Sequence, residues 1–254
     1  MKKAALTLTA LLLALPALAG SEEVFEKAFS LEGVTKVFVE NVNGRIEAVA
    51  WDRPYLRVKA VKTARGSSAE ETLKQTEIRV RKIDDRIEIE TLSPRRRRLS
   101  GFLDFAFGEQ QATVDYTVLM PPGTELRVET CNGRVEATGF GGQLSAEAVN
   151  GSIDLKDVDG PVRATTVNGS LRVAFKASLR KSHLETVNGS VDVAFDKKSS
   201  VRYELETVSG RIQGDFDLAV EGKFGPKEAR GSYNGGTDIL RVKTVNGSIH
   251  LKTQ

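Results

Sequence analysis

Few side chains in this sequence are of the types that carry out catalysis, and those few are not spaced as a catalytic or metal site requires. The chain has two histidines, His183 and His250, and one cysteine, Cys131. Both histidines fall at polar positions of strand-like segments, and neither has a cysteine or histidine at the short spacing of a zinc site. No glycine-rich loop leads from a strand into a helix, as phosphate binding would require. We therefore predict no catalytic residues, no metal and no cofactor.

Cys131 is predicted to be structural. Equivalent segments carry valine at its position, at Val149, Val167, Val187, Val208 and Val245. A thiol in place of a core valine acts as a small hydrophobic residue, and burial keeps it protonated and inert. Because it is the only cysteine, the chain cannot form an internal disulfide.

Carboxylates supply the one enzymatic alternative. Many β-helix proteins cleave polysaccharides with carboxylates or bases on one outer face, and glycoside hydrolysis generally uses a pair of carboxyl groups. The candidates here are Asp154, Asp157, Asp159 and Asp192. Solvated strands carry such residues equally well, so a polysaccharide-active enzyme stays an alternative to a non-enzymatic protein.

A repeated dipeptide marks corners of the chain, and the strands on either side of these corners would position any functional site. Asn-Gly, replaced once by Ser-Gly, recurs at Asn43-Gly44, Asn132-Gly133, Asn150-Gly151, Asn168-Gly169, Asn188-Gly189, Ser209-Gly210 and Asn246-Gly247. From the second corner onward the intervals are 18, 18, 20, 21 and 37 residues. Side chains two, four and six residues before each corner are mostly apolar or small, whereas those three and five before are mostly polar. The alternation resumes after the glycine and predicts a half-buried strand on each side of the corner.

Two all-β architectures fit these strands. An antiparallel meander, folded as a sandwich, uses Asn-Gly as a tight hairpin turn. A β-solenoid stacks equivalent positions in parallel about 4.8 Å apart, so that asparagine side chains can bond along the stack. A meander does not need the same residue at every corner. The sequence therefore favours a single right-handed β-helix-like stack of coils of 18 to 21 residues.

The corner residues themselves carry three expectations. Glycine is expected to supply backbone conformations that other residues resist. Asparagine is expected because it tolerates the left-handed region. The valine or cysteine just before the asparagine is expected to turn into the core.

Three motifs carry a family resemblance. They are the repeated TVNGSI units, VDYTVLMPPGTELRVET at 114–130, and the closing GSYNGGTDILRVKTVNGSIHL at 231–251. Together with a signal-peptide-like segment at residues 1–19, they resemble a bacterial adhesin-type family of unknown function, whose β-solenoid is called a toastrack domain. The resemblance covers about residues 34–252 and implies an envelope or secreted protein with an adhesive or signalling role. It carries no catalytic residues, because none is established for the family as a whole.

The N-terminal half departs from the repeat. Residues 20–125 are predicted to form a β region with a short helix over 67–75, where Ser68 and Glu71 match a capping box. A strand pair is predicted over 77–92. The regular repeat occupies 126–254 and continues the N-terminal region as one domain.

The stretch at 93–111 is the oddest in composition. It holds a basic run and large apolar residues, namely Arg95, Arg96, Arg97, Arg98, Phe102, Phe105 and Phe107. Basic and aromatic residues together suit a membrane interface, which makes this stretch a candidate contact loop for an anionic surface or a partner. The alternative is a solvated arginine run followed by a strand that caps an exposed sheet edge.

The first 19 residues predict export. Lys2 and Lys3 precede a short apolar run, and small residues then lead to a signal-peptide cleavage site between Ala19 and Gly20. Without those two lysines, the 37 basic residues fall to 35 against 34 acidic ones. Such a balance has no strong field to attract nucleic acid. The periplasm, the cell surface and the medium stay open as destinations.

The sequence as a whole favours a non-enzymatic, adhesin-like binding or structural module of the cell envelope, because a solenoid presents long polar faces to an extended partner. An accessory or sensor factor in envelope stress signalling is the alternative. An envelope protein, a glycan and an anionic membrane surface remain open as partners, and nucleic acid is not expected.

Overall fold

In the residues described by a computed structural model, the chain folds into β-strands with one short helix. The structure describes residues 21–92, 112–177, 179–222 and 225–254. The helix α1 spans Ala69–Gln75. The strands are β1 (Ser21–Ser30), β2 (Lys36–Asn43), β3 (Ile46–Ala50), β4 (Tyr55–Ala64), β5 (Glu77–Ile83), β6 (Arg86–Leu92), β7 (Thr113–Met120), β8 (Glu125–Asn132), β9 (Val135–Thr138), β10 (Leu144–Asn150), β11 (Ile153–Val158), β12 (Val162–Asn168), β13 (Leu171–Phe175), β14 (Lys181–Asn188), β15 (Val191–Phe195), β16 (Val201–Ser209), β17 (Ile212–Gly214), β18 (Val220–Glu221), β19 (Lys227–Tyr233), β20 (Asp238–Asn246) and β21 (Ile249–Thr253).

Two large sheets share one hydrophobic core. Sheet A has ten strands in the order β1-β4-β7-β3-β9-β11-β13-β15-β21-β17. Sheet B has eleven strands in the order β18-β19-β16-β20-β14-β12-β10-β8-β2-β6-β5. Within the described ranges neither sheet closes on itself, because each has two edge strands. The prediction of an all-β protein is confirmed, with two open sheets as its framework.

Most of the chain alternates between the sheets in layers, each made of a sheet B strand and the sheet A strand that follows it. Equivalent strands of successive layers pair in parallel, as β8, β10 and β12 do in sheet B. Their register places Asn132, Asn150 and Asn168 side by side. Because this pairing is parallel, the antiparallel meander is wrong for the repeated part of the chain.

The layers do not stack in chain order at either end. The C-terminal layer, β20–β21, lies between the β14–β15 and β16–β17 layers. At the other end, the β6–β7 layer stacks outside the β2–β3 layer, and the chain then returns to place β8–β9 on the opposite side. The last layer is therefore inserted into the stack rather than added to its end.

The core lies between the sheets and is filled by the positions that the alternation selects. Residues two, four and six before the corners are buried, for example Leu126, Val128 and Thr130 in β8. Residues after the corner glycines are buried in the same way, as Ile153 and Leu155 are in β11. Burying one such aliphatic side chain completely stabilises the fold by about 1.5–3 kcal/mol.

The N-terminal strands pair differently from the layers. β4 pairs antiparallel with both β1 and β7, and β5 and β6 form an antiparallel hairpin. The turn of this hairpin contains Asp84 with a φ of 52°. The hairpin confirms the predicted strand pair at 77–92. The helix α1 buries Ala69 and Leu73 against Ala64 and Ala112.

The predicted capping box is not formed. Ser68 precedes α1 with φ −104° and ψ 17°, and its side chain makes no capping hydrogen bond. This backbone is not the extended conformation that points an N-cap hydroxyl at the amides of the first turn. The Ser68 carbonyl instead accepts hydrogen bonds from the backbone and hydroxyl of Thr72.

Two sequence predictions lie outside the described residues. They are the signal peptide at 1–19 with its cleavage site, and the arginine-rich loop at 93–111. Within the described ranges, no helix is long and apolar enough to cross a membrane. The division of the chain at residue 126 stays a prediction.

Candidate binding face

The corners form a hydrogen-bonded ladder of asparagine side chains along one margin of sheet B. Five of the six asparagines donate from Nδ2 to the Oδ1 of the asparagine in a neighbouring layer at 2.8–2.9 Å. In spatial order the members are Asn43, Asn132, Asn150, Asn168, Asn188 and Asn246. Ser209 ends the row beside Asn246. The repeated asparagine therefore links stacked layers.

Glycine is required at the corners because adjacent layers approach too closely for a side chain. A Cβ at Gly169 would lie 2.1 Å from the carbonyl oxygen of Gly151, and one at Gly247 would lie 1.9 Å from that of Gly189. Among the seven corner glycines only Gly44, with φ 119°, has a positive φ, and none of the corner asparagines does. The expectation of left-handed backbone at the corners is thus wrong for all but Gly44. Contact between stacked backbones selects glycine.

Buried threonines hold the corners from beneath. Two residues before the corner, the hydroxyl donates to the corner glycine carbonyl of the neighbouring layer, as Thr186 does to Gly169 at 2.9 Å. The same bond is made by Thr166, Thr207 and Thr244. Thr130 is the exception: its buried Oγ1 has no hydrogen-bond partner within the described part of the chain.

At four of the corners the preceding valine faces solvent, contrary to expectation. Val167, Val187, Val245 and Val208 are 37–49% exposed and lie on four adjacent strands, β12, β14, β20 and β16. Successive side chains of a strand point to opposite faces. Because the residue two before the corner is in the core, the valine one before it must point outward. The result is a continuous exposed apolar stripe, termed here the valine row.

Cys131 extends the valine row on β8 and is partly exposed. The prediction that it is a buried core residue is wrong, for the same reason of alternation. Its neighbours in the row are Val42, which is buried, and Val149, which is partly exposed. The prediction that the thiol is inert was based on burial, and the partial exposure of Cys131 removes that argument.

Two further rows run beside the valine row on the outer face of sheet B. Three residues before the corner the side chains are mainly carboxylates, at Glu40, Glu129, Glu147, Thr165, Glu185, Lys243 and Glu206. Five residues before it they are more basic, at Phe38, Arg127, Ser145, Arg163, His183, Arg241 and Glu204. Neighbours within a row are one strand spacing apart, about 4.8 Å.

Ion pairs link neighbouring side chains within each of these two rows in the strands near β16. Arg241 Nε donates to Glu204 Oε2 at 2.6 Å, and Lys243 Nζ lies 2.8 Å from Glu206 Oε2. The hydrogen bond from Arg241 lowers the pKa of the Glu204 carboxyl. The hydrogen bond to Glu206 raises the pKa of Lys243. Glu204, Arg241 and Lys243 therefore keep their charges at neutral pH.

A shallow groove of about 310 Å³ joins the valine row to the carboxylate row at this end of the sheet. It is lined by Glu185, Thr186, Glu206, Thr207, Val208, Pro226, Lys227, Glu228, Lys243, Thr244 and Val245. One wall comes from the start of β19, where Lys227 Nζ donates to the Gly210 carbonyl at 2.7 Å. Sequence reasoning missed this wall because β19 carries no corner. Its antiparallel pairing with β16 brings it to the site.

The two histidines do not converge on one site. His183 lies on the outer face of sheet B, 3.4 Å from Glu185. His250 lies on sheet A, with its ring nitrogens 3.8 Å from Asp192 and from Asp215. In the ranges that the structure describes, no group of three or more His, Cys, Asp and Glu side chains is arranged to hold a metal ion.

The four candidate aspartates are also dispersed. Asp154 and Asp192 share the outer face of sheet A, but Arg172 lies between them in the intervening strand. Asp157 sits in a register irregularity of β11 with φ 52°, and Asp159 follows in the next turn. A basic side chain thus stands where the two carboxyl groups of a glycosidase would have to face one sugar. The candidate contact residues at 95–98, 102, 105 and 107 lie outside the described residues.

Comparison with known proteins matches residues 34–252 to the family described as Toastrack DUF4097. No curated protein matches the sequence. Among solved structures, a candidate cell adhesion protein from Clostridium sporogenes is 14% identical with a TM-score of 0.45, over 92% of this chain and 100% of that chain. A candidate adhesin from Bacteroides fragilis is 10% identical with a TM-score of 0.42, over 91% and 98%. A candidate lipid-binding protein from Parabacteroides distasonis is 12% identical with a TM-score of 0.35, over 91% and 96%.

Proposed function

The chain belongs to the Toastrack DUF4097 family, and on this premise we propose that it is an exported, non-enzymatic binding or structural module of the cell envelope. We infer that its stacked layers are coils of a β-solenoid. The outer face of sheet B is its working surface, and an extended partner lies along the valine row. The apolar-then-small-residue pattern of the first 19 residues supports export.

The exposed valine row is the observation that carries this proposal. Isolated exposed apolar residues are ordinary, but contiguous ones mark interaction sites. Here Val167, Val187, Val245 and Val208 are contiguous over four strands. The stripe is only one side chain wide, with the ordered charges of the outer face on one side and the asparagine ladder on the other. Its shape suits a narrow, extended partner rather than a globular one.

Two valine substitutions test the proposal. In the double variant Val187→Ser, Val245→Ser, both changed residues are already about 40% exposed, so the unfolding midpoint should change little. Binding should weaken about tenfold, since burying this much valine surface is worth on the order of 1–2 kcal/mol. Binding is measured separately to purified envelope polysaccharide, anionic vesicles and an envelope membrane-protein fraction.

Val24→Ser is the matched control, because Val24 is 38% exposed on β1 of sheet A, away from the valine row. It should bind as the unmodified protein does. Equal binding by the double variant and the control would refute the assignment of this face. The arm that retains the protein identifies the partner as glycan, lipid surface or protein.

A further inference from the structure

Seven Asn-Gly dipeptides in the chain differ in how the structure holds them. Six lie in the corners, and the seventh, Asn234-Gly235, lies in the turn between β19 and β20.

Asparagine is thermally labile, and glycine after it leaves the attacking backbone nitrogen unshielded by a side chain. In spontaneous deamidation of an Asn-Gly pair, the glycine nitrogen loses its proton and bonds to the asparagine Cγ. The Cγ–Nδ2 bond then breaks, and Nδ2 leaves as ammonia with that proton. Water opens the cyclic imide to aspartate or isoaspartate.

The corners hold both reacting groups in place. Each corner asparagine side chain belongs to the ladder, with Nδ2 to Oδ1 distances of 2.8–2.9 Å. Each following glycine N–H donates to the backbone carbonyl of the corner residue in the next layer at 2.9–3.1 Å. The nitrogen therefore cannot turn toward Cγ unless the stack opens locally.

Asn234 lacks one of these two restraints. Its Nδ2 donates to the Lys197 carbonyl at 2.8 Å and to the Ser199 carbonyl at 3.2 Å. Gly235 N, however, makes no hydrogen bond to any residue that the structure describes. Both residues are exposed. Exposure alone does not set Asn234 apart, because every corner asparagine except Asn43 is exposed too.

We propose that Asn234 is the site of spontaneous deamidation in the folded protein, and that the corner asparagines are protected by their stacking. The product has a structural consequence. A carboxylate at 234 has no hydrogen to donate and would face the carbonyls of Lys197 and Ser199. The turn that leads into β20, the inserted strand, would then lose two hydrogen bonds.

Timed incubation of the folded full-length protein at mildly alkaline pH tests the proposal. Samples are digested, and mass spectrometry follows the conversion of each Asn-Gly amide to the acid. Asn234 should convert about tenfold or more faster than any corner asparagine, since each corner must first open. In urea-unfolded protein all seven should convert at similar rates. A corner that matches Asn234 in the folded protein would overturn the proposal, as would a folded protein in which Asn234 does not convert.

The variant Ser209→Asn separates the two restraints. The new side chain can join the ladder beside Asn246, but Gly210 N has no hydrogen-bond partner within the described ranges. If the glycine hydrogen bond is the protective one, position 209 should convert at the rate of Asn234 while Asn246 stays intact. Protection of position 209 to the same degree as the other corners would refute that assignment.

Amide hydrogen exchange tests whether a carboxylate at position 234 loosens the turn before β20. Asn234→Asp mimics the main change of charge, and it should speed amide hydrogen exchange in β20 while leaving β10 and β12 unchanged. Unchanged exchange in β20 would remove the proposed loosening.

Discussion

The stacked layers and the N-terminal antiparallel strands build the same two sheets by different pairing rules. In the layers, each residue lies beside its equivalent in the next layer, as Asn150 lies beside Asn168. In the antiparallel pair β1–β4, unlike residues meet, as Glu23 and Lys62 do at 2.8 Å. A parallel in-register stack favours the same residue at every step, whereas an antiparallel pair favours complementary ones. One region therefore carries a visible repeat and the other carries none.

Buried polar groups show the same contrast. In four of the layers a single threonine hydroxyl satisfies a glycine carbonyl of the layer beside it. At the N-terminal end, Asn41 Nδ2 donates to the Val114 carbonyl at 2.8 Å, and its Oδ1 accepts from the Thr91 hydroxyl at 3.0 Å. The Thr91 hydroxyl also contacts the Tyr116 hydroxyl at 2.7 Å, and burial raises the pKa of Tyr116. A three-residue network replaces the repeated bond where the repeat stops.

The largest expected effect is at a corner glycine. Gly169→Ala would place a Cβ 2.1 Å from the Gly151 carbonyl oxygen. Since the obstacle is backbone, the layers must separate, and we expect a loss of about 3 kcal/mol or more in the free energy of unfolding. Gly123→Ala is the control, because its Cβ would meet nothing within 4 Å. Urea midpoints measure both, and equal midpoints would contradict the close-packing explanation.

The inserted C-terminal layer should be as costly to damage as the middle of the stack. Leu240 in β20 and Leu126 in β8 are both fully buried. Leu240→Ala and Leu126→Ala should each lose about 2–5 kcal/mol of unfolding free energy. A frayed C-terminal strand would instead make Leu240→Ala much milder than Leu126→Ala. Chemical denaturation of the two variants distinguishes these outcomes.

Threonine substitutions compare a satisfied hydroxyl with an unsatisfied one. Thr186→Val removes the bond to the Gly169 carbonyl and should cost about 1 kcal/mol. Thr130→Val removes a buried Oγ1 that has no partner among the described residues, and it should be neutral or stabilising. Thermal melts of the two variants give the difference in stability. A larger loss of stability for Thr130→Val than for Thr186→Val would contradict a stabilising role for the threonine-to-glycine hydrogen bond.

The smallest effect concerns pH. The hydrogen bond from Arg241 lowers the pKa of Glu204 in the folded protein. Its contribution to stability is therefore present above the unfolded pKa and is lost as the pH falls through the folded pKa. Both side chains are more than a third exposed, 41% and 36%, so water and salt screen the pair. Arg241→Gln should lower the melting temperature slightly at neutral pH and not in acid, and 1 M salt should shrink the difference.

Sequence periodicity located the strands of the repeat and the side chains that fill the core. The prediction for the residue just before most corners was wrong, because the alternation was not applied to that position. The alternation that buries Thr166 and Thr186 also requires Val167 and Val187 to face solvent, yet their apolar character suggested burial. The capping box at Ser68 failed because a match of residue types does not fix the backbone angles that aim the hydroxyl.

The sequence by itself determined the all-β class, the corners and the inward positions, because these depend on neighbours within one strand and on the repetition of equivalent residues. Only the tertiary structure decided the order of the layers, since nothing local distinguishes β20 added beyond β16 from β20 inserted between β14 and β16. It also decided why the corners need glycine and where the groove lies. Both depend on backbone brought close from other segments, such as the Gly151 carbonyl beneath Gly169 and β19 beside β16. Such contacts join residues far apart in the chain, and no single segment specifies them.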